Sequence, residues 1–159
     1  MKIKLICVGK LKEAYLRDAV AEYSKRLGRF CTLEVVELPD EKIPERASQA
    51  QMEKVIATEG ERIAKHIGAG EFVVPMCIEG KQLASEQFAK TLAEVTLRGM
   101  STVTFIIGGS LGIADHIKKQ GDFKLSLSAM TLPHQLARVV LLEQIYRAFK
   151  INAGQEYHK

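Results

Sequence analysis

The residues of this chain that could bind a ligand are concentrated in its last third. An apolar run, 103–107, ends in the glycine-rich segment 108–112 (GGSLG), and the segment 125–132 (LSLSAMTL) carries hydroxyl groups but no charge. Glycine permits positive φ and lets a ligand approach the bare backbone. The uncharged loop offers main-chain N–H and C=O groups without competing charges. The two segments are therefore candidate ligand-binding elements, although the glycines alone are also typical of a plain tight turn.

Titratable side chains follow these loops toward the C-terminus. They are Arg138, Glu143, Arg147, Tyr157, His158 and Lys159. Glu143 and Arg147 stand four positions apart, so a helical ion pair is the structural alternative to a role in binding. The last three residues lie in a tail of the kind that often frays. His134 follows Pro133 in a predicted first helical turn, where capping or packing accounts for it.

Several common chemistries do not match the sequence. The second and fifth positions after Gly108 are serine and isoleucine, so the dinucleotide-binding glycine pattern is missing, and no GxxxxGK[ST] motif occurs. These absences argue against a flavodoxin-like or nucleotide-binding enzyme. No cluster of His, Cys or carboxylate residues has metal-ligand spacing, so we predict no metal. The cysteines are predicted to be buried thiols of a reducing compartment: Cys7, Cys31 and Cys77.

Alternating strands and helices must position these residues. The predicted strands are 2–8, 31–38, 72–78, 103–107 and 123–127, and the predicted helices are 12–27, 47–67, 85–98, 113–119 and a long one from 134. This alternation predicts an α/β fold with a mainly parallel sheet and helices on both faces. Ligands of such sheets sit beyond the carboxyl ends of the strands. The turns after Met76 and at Gly108, and the loop that ends at Pro133, fit that rule.

Four local features carry more specific expectations. Pro75 predicts an edge, a bulge or a break in the third strand. The segment 79–81 is predicted to be a turn, and Ser85 is predicted to cap the next helix. Charged residues of the second helix are predicted to form a solvated face: Glu59, Glu61, Arg62 and Lys65. His66 and His116 are placed on charged helix surfaces.

The last helix is apolar on two sides. One stripe carries Val139, Leu142, Tyr146 and Phe149, and the other carries Leu141, Ile145 and Ala148. A helix that is apolar on two sides must be covered on two sides. The second cover is either more of the same fold or a second copy of the chain.

Size and composition are those of one ordinary globular domain, 1–159. Charged residues make up 26% and hydrophobic residues 47% of the chain, which argues against disordered and fibrous classes. The 23 basic and 19 acidic residues give a net charge of +4, a modest surplus that by itself favours a nucleic-acid partner only weakly. No apolar run is long enough to be a signal-peptide core or a membrane span. We expect a cytoplasmic protein.

The glycine segment after an apolar strand, the loop and helix LSLSAMTLPHQLARVVLLEQIYRAFKI and the terminal YHK together resemble the RlmH-type members of the SPOUT superfamily. The resemblance runs from the first strand to the last residue. It implies an S-adenosylmethionine-dependent methyltransferase acting on pseudouridine N3 in 23S rRNA, with an α/β fold that ends in a trefoil knot. The implied cofactor-binding residues are Met76, Gly108, Leu127, Ser128, Ala129, Met130, Thr131 and Leu132.

The resemblance also implies roles for the C-terminal residues. His158, or failing that Glu143, would take or relay the N3 proton. Tyr157, Lys159 and Arg138 would hold the base and its developing charge, and Arg138 and Arg147 would contact RNA phosphate or the target base.

The implied assembly is a homodimer in which the tail of one subunit contributes to the active site of the other. The implied substrate is 23S rRNA within the large subunit or whole ribosome. The alternative is a non-enzymatic ribosome-associated RNA-binding protein that uses the basic surface and binds no cofactor.

Overall fold

A computed structural model describes residues 1–157, in which five strands alternate with five helices. The elements are β1 (Lys2–Val8), α1 (Ala14–Leu27), β2 (Thr32–Leu38), α2 (Gln49–Ala64), β3 (Phe72–Gln82), α3 (Ser85–Leu97), β4 (Thr102–Ile107), α4 (Asp115–Gln120), β5 (Leu125–Ser126) and α5 (His134–Asn152). The strands form one sheet in the order β2-β1-β4-β3-β5, and every pairing between them is parallel. The predicted alternation and parallel sheet are confirmed. The trefoil knot and the single-domain assignment stay predictions.

Helices cover both faces of the sheet because its central strands are apolar on both sides. Alternate residues of a strand point to opposite faces. Leu5 of β1 and Phe105 of β4 pack in a core cluster with residues of α1, α3 and α5. Ile6 and Ile106, one position along each strand, belong to a second cluster with residues of α2 and α4. The prediction of helices on both faces is therefore confirmed.

Helix α5 packs between α1 and α3 on the first face. Its fully buried apolar residues are Leu141, Leu142, Ile145 and Ala148. Tyr146 and Phe149 are half-buried and contact Phe30, whose ring stacks on that of Phe149 with centroids 5.8 Å apart. The fold itself thus buries the stripe of Leu141, Ile145 and Ala148 and partly covers Tyr146 and Phe149 of the other stripe. Coverage by a second copy of the chain stays a prediction.

Strand β3 is longer than predicted, and the predicted turn at 79–81 is wrong. The strand pairs with β4 as far as Pro75 and then with β5, with a register shift between Met76 and Lys81. A bulge or irregularity next to Pro75 is among the alternatives predicted for this strand, an edge, a bulge or a break. Gly80 permits the pairing, because a Cβ atom there would lie 2.6 Å from the carbonyl carbon of Leu125. Polar residues that suggested a turn therefore continue the strand.

The start of α3 also differs from prediction. Ala84, rather than Ser85, is the N-cap, and its N–H donates to the side-chain oxygen of Gln87 at 3.0 Å. The Ser85 hydroxyl instead donates to Gln144 Oε1 at 2.7 Å and joins α3 to α5. The helix α2 has the reciprocal capping pair that α3 lacks, between Ser48 and Gln51.

The three cysteines are free thiols, but only one of them is fully buried as predicted. Burial raises the pKa of Cys7 to about 12 and that of Cys31, which is half-buried, to about 11. Cys77 is also half-buried. At neutral pH all three are protonated, so none has the thiolate form that a nucleophile needs.

Candidate active site

A cavity of about 700 Å³ lies where β4 ends and its pairing with β3 stops. This volume falls within the roughly 300–1,000 Å³ typical of small-molecule sites. Three segments form its wall: 76–79 of β3, 107–113 after β4, and the loop from 125 to the start of α5. The predicted position of the site, beyond the carboxyl ends of the strands, matches this cavity.

The glycine segment after β4 is a turn that closes on itself. Gly112 has φ +90° and donates its N–H to the carbonyl oxygen of Gly109 at 3.0 Å. A Cβ atom on Gly108 would lie 2.8 Å from both the carbonyl carbon and oxygen of Gly112. The turn therefore has no room for a side chain at Gly108, and its peptide groups form part of the cavity wall.

The hydroxyl-rich loop is held by its own serines. Ser126 Oγ donates to the carbonyl oxygen of Ser128 at 3.0 Å, and Ser128 Oγ accepts from the N–H of Met130 at 3.0 Å. The predicted cofactor residues on the cavity wall are Met76, Gly108, Leu127, Ser128, Met130, Thr131 and Leu132. Ala129 is exposed and lies off this wall. Seven of eight predicted positions are thus brought together around one cavity.

The segment 125–127 separates two cavities. The second is smaller, about 280 Å³, and is lined from the α3 and α5 sides by Phe88, Leu141 and Gln144. The loop residues that face the larger cavity also form one wall of the smaller one.

An ion pair and a histidine line the large cavity. Lys118 and Glu79 form an ion pair at 2.5 Å, and their hydrogen bond raises the pKa of Lys118 and lowers that of Glu79. His134 is half-buried at the start of α5. Burial, and next the charge of Arg138, lower the pKa of His134. The lowered pKa favours the neutral form of the imidazole. Packing stays the structural alternative to a role at the cavity.

Arg138 is not on the cavity wall but is buried behind it. Its side chain is 1% exposed; Nη1 donates to Glu37 Oε2 at 2.6 Å and Nη2 to the carbonyl oxygen of Gly9 at 3.0 Å. Glu37 Oε2 also accepts from the N–H of Leu11 at 3.4 Å. Arg138 thus ties α5 to the ends of β1 and β2.

The other C-terminal candidates form a separate group on α5. Arg147 Nη2 pairs with Glu143 Oε1 at 2.7 Å, so the structural alternative for these residues is present. The Tyr157 ring lies against the Arg147 guanidinium, with 4.7 Å between the ring centroid and Cζ, and burial raises the pKa of Tyr157. His158 and Lys159 lie outside the described residues. Along the helix, at roughly 1.5 Å per residue, Arg147 is about 20 Å from His134.

Glu59 was predicted to lie on a solvated face, and this is wrong. It is 3% exposed, and its Oε2 accepts from the N–H of Glu41 at 3.0 Å. Its Oε1 has no hydrogen-bond partner among the described residues. A Cβ atom on Gly109 would lie 2.9 Å from that oxygen, so the carboxyl group packs directly behind the glycine turn. Burial raises the pKa of Glu59.

Replacing Glu59 with glutamine should raise the free energy of unfolding by about 1 kcal/mol near neutral pH, because it removes a buried charge that has an unpaired oxygen. Because the pKa of Glu59 is higher in the folded than in the unfolded protein, its protonation stabilises the folded state at pH values below the ordinary pKa. This stabilisation is lost as the pH rises through the pKa of the folded state. The advantage of Glu59→Gln should therefore shrink in acid. Urea unfolding at two pH values measures it, with the exposed residue Glu61→Gln as control. A variant less stable than the wild type at neutral pH contradicts the prediction.

In residues 1–157 no helix combines the length and apolar character needed to cross a membrane. Across the same part of the chain, no three His, Cys, Asp or Glu side chains are grouped so that they could hold a metal ion.

The sequence is similar to curated bacterial proteins along its whole length. It is 59% identical over 159 residues to "Ribosomal RNA large subunit methyltransferase H" of Leuconostoc citreum, and 61% identical to the protein of that name from Bifidobacterium adolescentis. A third relative of the same name, from Streptococcus equi subsp. zooepidemicus, is 57% identical. In each comparison all of this chain and all of the relative are covered.

The fold has a more distant structural neighbour, a probable methylase family protein from Haemophilus influenzae. The match has a TM-score of 0.57 at 11% identity and covers 99% of this chain and 70% of the other, so it bears on the fold alone. The family model described as "Predicted SPOUT methyltransferase" matches residues 1–158. The resemblance seen in the sequence is confirmed, and the chain belongs to the SPOUT methyltransferase family.

Proposed function

We propose that this protein transfers a methyl group from S-adenosyl-L-methionine to N3 of a pseudouridine in 23S rRNA, within the large subunit or whole ribosome. The observation that carries the proposal is full-length identity of 57–61% to proteins named for methylation of large-subunit ribosomal RNA. The cavity beyond β3 and β4, walled by the segments that resemble the family's cofactor site, supports it.

The residues around the cavity suit S-adenosyl-L-methionine. The bare turn at Gly108 and the peptide groups of 127–132 would bind its polar parts, and Met76, Leu127 and Leu132 offer an apolar wall for adenine. When bound, this cofactor supplies a methyl group that the positively charged sulfur makes electrophilic. The protein must then orient the base, accept its N3 proton and stabilise the negative charge spread onto the carbonyl oxygens.

The burial of Arg138 suggests how it serves this reaction. Both of its terminal nitrogens are engaged, by Glu37 and by the carbonyl oxygen of Gly9. We therefore assign it a positioning role for α5 and the β1 end rather than direct contact with the base. Arg147, together with Tyr157 and the terminal residues His158 and Lys159, remains the proposed group that holds the RNA.

A homodimer is part of the proposal, because Glu143, Arg147 and Tyr157 lie far along α5 from the cavity of their own chain. Arg147, about 20 Å from His134 along the helix, and the tail beyond it would serve the cavity of a second molecule more readily than their own. Light scattering at micromolar concentration should therefore report a dimer. A monomer under these conditions contradicts the shared site.

Nucleoside mass spectrometry of ribosomal RNA tests the function directly. Cells that lack the gene should lose one methylated pseudouridine, and complementation should restore it. Calorimetry with S-adenosyl-L-methionine distinguishes the enzyme from a non-enzymatic RNA-binding protein, since a pure binding protein releases no heat. Unchanged nucleosides in the deletion strain would refute the proposed activity.

A further inference from the structure

His134 occupies the junction between the cavity and the end of β1. It lines the cavity beside Pro133 and Ala137 as the first residue of α5. On its other side a Cβ atom built on Gly9 would lie 3.8 Å from His134 Nε2. Gly9 has φ +92° and accepts the hydrogen bond from Arg138 Nη2. The imidazole is thus held between the cavity wall and a glycine that Arg138 fixes in place.

Three charged groups act on this imidazole from the elements around it. Arg138 lies one turn further along α5, Lys12 follows β1, and Asp40 follows β2. The two cations disfavour a protonated imidazole and Asp40 favours it, and burial adds to the effect of the cations. A neutral imidazole has a free nitrogen lone pair, which is what a proton acceptor requires.

The other titratable side chains on the wall are unsuited to accept a proton. Glu79 is engaged by Lys118, whose Nζ donates to Glu79 Oε1 at 2.5 Å, so that oxygen is already occupied by a cation. Cys77 has a raised pKa and stays a neutral thiol. Among the cavity residues that the structure describes, His134 therefore combines access to the cavity with an available lone pair.

We propose that His134, a residue of the same chain as the cavity, is the group that accepts the N3 proton. This assignment rests on the proposed function. The N3–H bond breaks and the proton passes to an imidazole nitrogen of His134. The N3 electron pair forms the bond to the methyl carbon, and the carbon–sulfur bond breaks with its electron pair remaining on sulfur. The products are the N3-methylated base, the neutral thioether and an imidazolium that later loses its proton to water.

The test compares His134→Gln with the wild type in single-turnover methylation of ribosomes at saturating cofactor, across a range of pH. Proton acceptors of this kind contribute about 100-fold or more to a rate. We expect the methylation rate to fall by at least about 100-fold. The wild-type rate should decrease toward acidic pH as His134 becomes protonated, and this decrease should be absent in His134→Gln. Cofactor affinity by calorimetry should stay within about threefold, a difference well under 1 kcal/mol. His66→Gln, an exposed histidine beyond α2, is the matched control and should behave as the wild type.

A second measurement does not depend on activity. The imidazole signals of His134 in nuclear magnetic resonance spectra should titrate below the ordinary histidine range and shift on addition of S-adenosyl-L-methionine. An imidazole that titrates in the ordinary range and does not respond to cofactor overturns the assignment.

The remaining outcomes separate this assignment from its rivals. An active His134→Gln protein whose rate still decreases toward acidic pH overturns it. The assignment is also overturned if that decrease is lost in His158→Gln but not in His134→Gln. A variant that loses only cofactor affinity makes His134 a binding residue and also overturns it. A wild-type protein that methylates no ribosomal substrate refutes the proposed function itself.

Discussion

Replacing Glu37 with alanine is expected to lower the free energy of unfolding by about 3 kcal/mol, because it leaves the buried Arg138 cation without its counter-charge. The Arg138 side chain is 1% exposed and that of Glu37 is 38% exposed. The arginine therefore cannot turn to water when its partner is removed, whereas the glutamate can. Urea unfolding followed by circular dichroism measures the loss.

The same asymmetry predicts a smaller loss for Arg138→Met. This change removes the buried charge and keeps an apolar chain of similar length, so the expected cost is about 1–2 kcal/mol, mainly the hydrogen bond to Gly9. The double variant should be about as stable as Arg138→Met alone. Fully additive losses would contradict the interpretation.

An exposed pair provides the control for these variants. Lys90 and Glu94 lie one turn apart on α3 with side chains 79% and 48% exposed. Glu94→Ala should change the stability by less than about 1 kcal/mol. A loss as large as that of Glu37→Ala would show that burial is not the cause.

Replacing Gly108 with alanine should weaken the binding of S-adenosyl-L-methionine by about 10- to 100-fold. The added Cβ would lie 2.8 Å from the Gly112 carbonyl group and from Ile113 Cγ1. Backbone cannot move aside as a flexible side chain does, so the turn must open at the cavity wall. Overpacking of this kind costs roughly 1–3 kcal/mol, which corresponds to that change in affinity if the cost falls on the bound state.

Calorimetry measures the affinity, and Gly28→Ala is the matched control. Gly28 ends α1 with φ −57°, and a Cβ atom there would lie 3.4 Å from the carbonyl oxygen of Lys25. That variant should bind the cofactor as the wild type does. A Gly108→Ala protein that is folded and binds with unchanged affinity would remove the turn from the cofactor site.

The sequence predicted the elements well where local pattern decides them. Apolar runs placed the central strands β1 and β4, and glycines placed the ends of α1 and α3 near Gly28 and Gly99. The segment 79–81 was the exception. Its polar residues suggest a turn, but the strand continues because β5, over forty residues later in the chain, supplies a partner with no room for a side chain at Gly80.

The sequence indicated the contiguous segments of the cavity wall but not the contacts between distant residues. Gly108 and most of 127–132 line the cavity, and they were expected there because both segments are continuous in sequence and resemble the family's cofactor site. Arg138 was expected to contact the base or RNA phosphate, because its partner Glu37 is 101 positions away and gives no local signal. Glu59 looked solvated because its helix is charged, and the contact with Gly109 that buries it exists only after folding. Burial of a charge depends on what covers it, which a local pattern does not contain.

The segment 125–127, which lines both cavities, has a pharmacological consequence. A compound bound in the 280 Å³ cavity beside Phe88 and Gln144 would contact this segment on the side opposite the larger cavity. Peptide groups on the opposite surface would shift, and the affinity for the methyl donor would fall. Because such coupling is reciprocal, the donor would weaken the binding of the compound by the same factor, so the potency of the inhibitor would decline as the donor concentration rises.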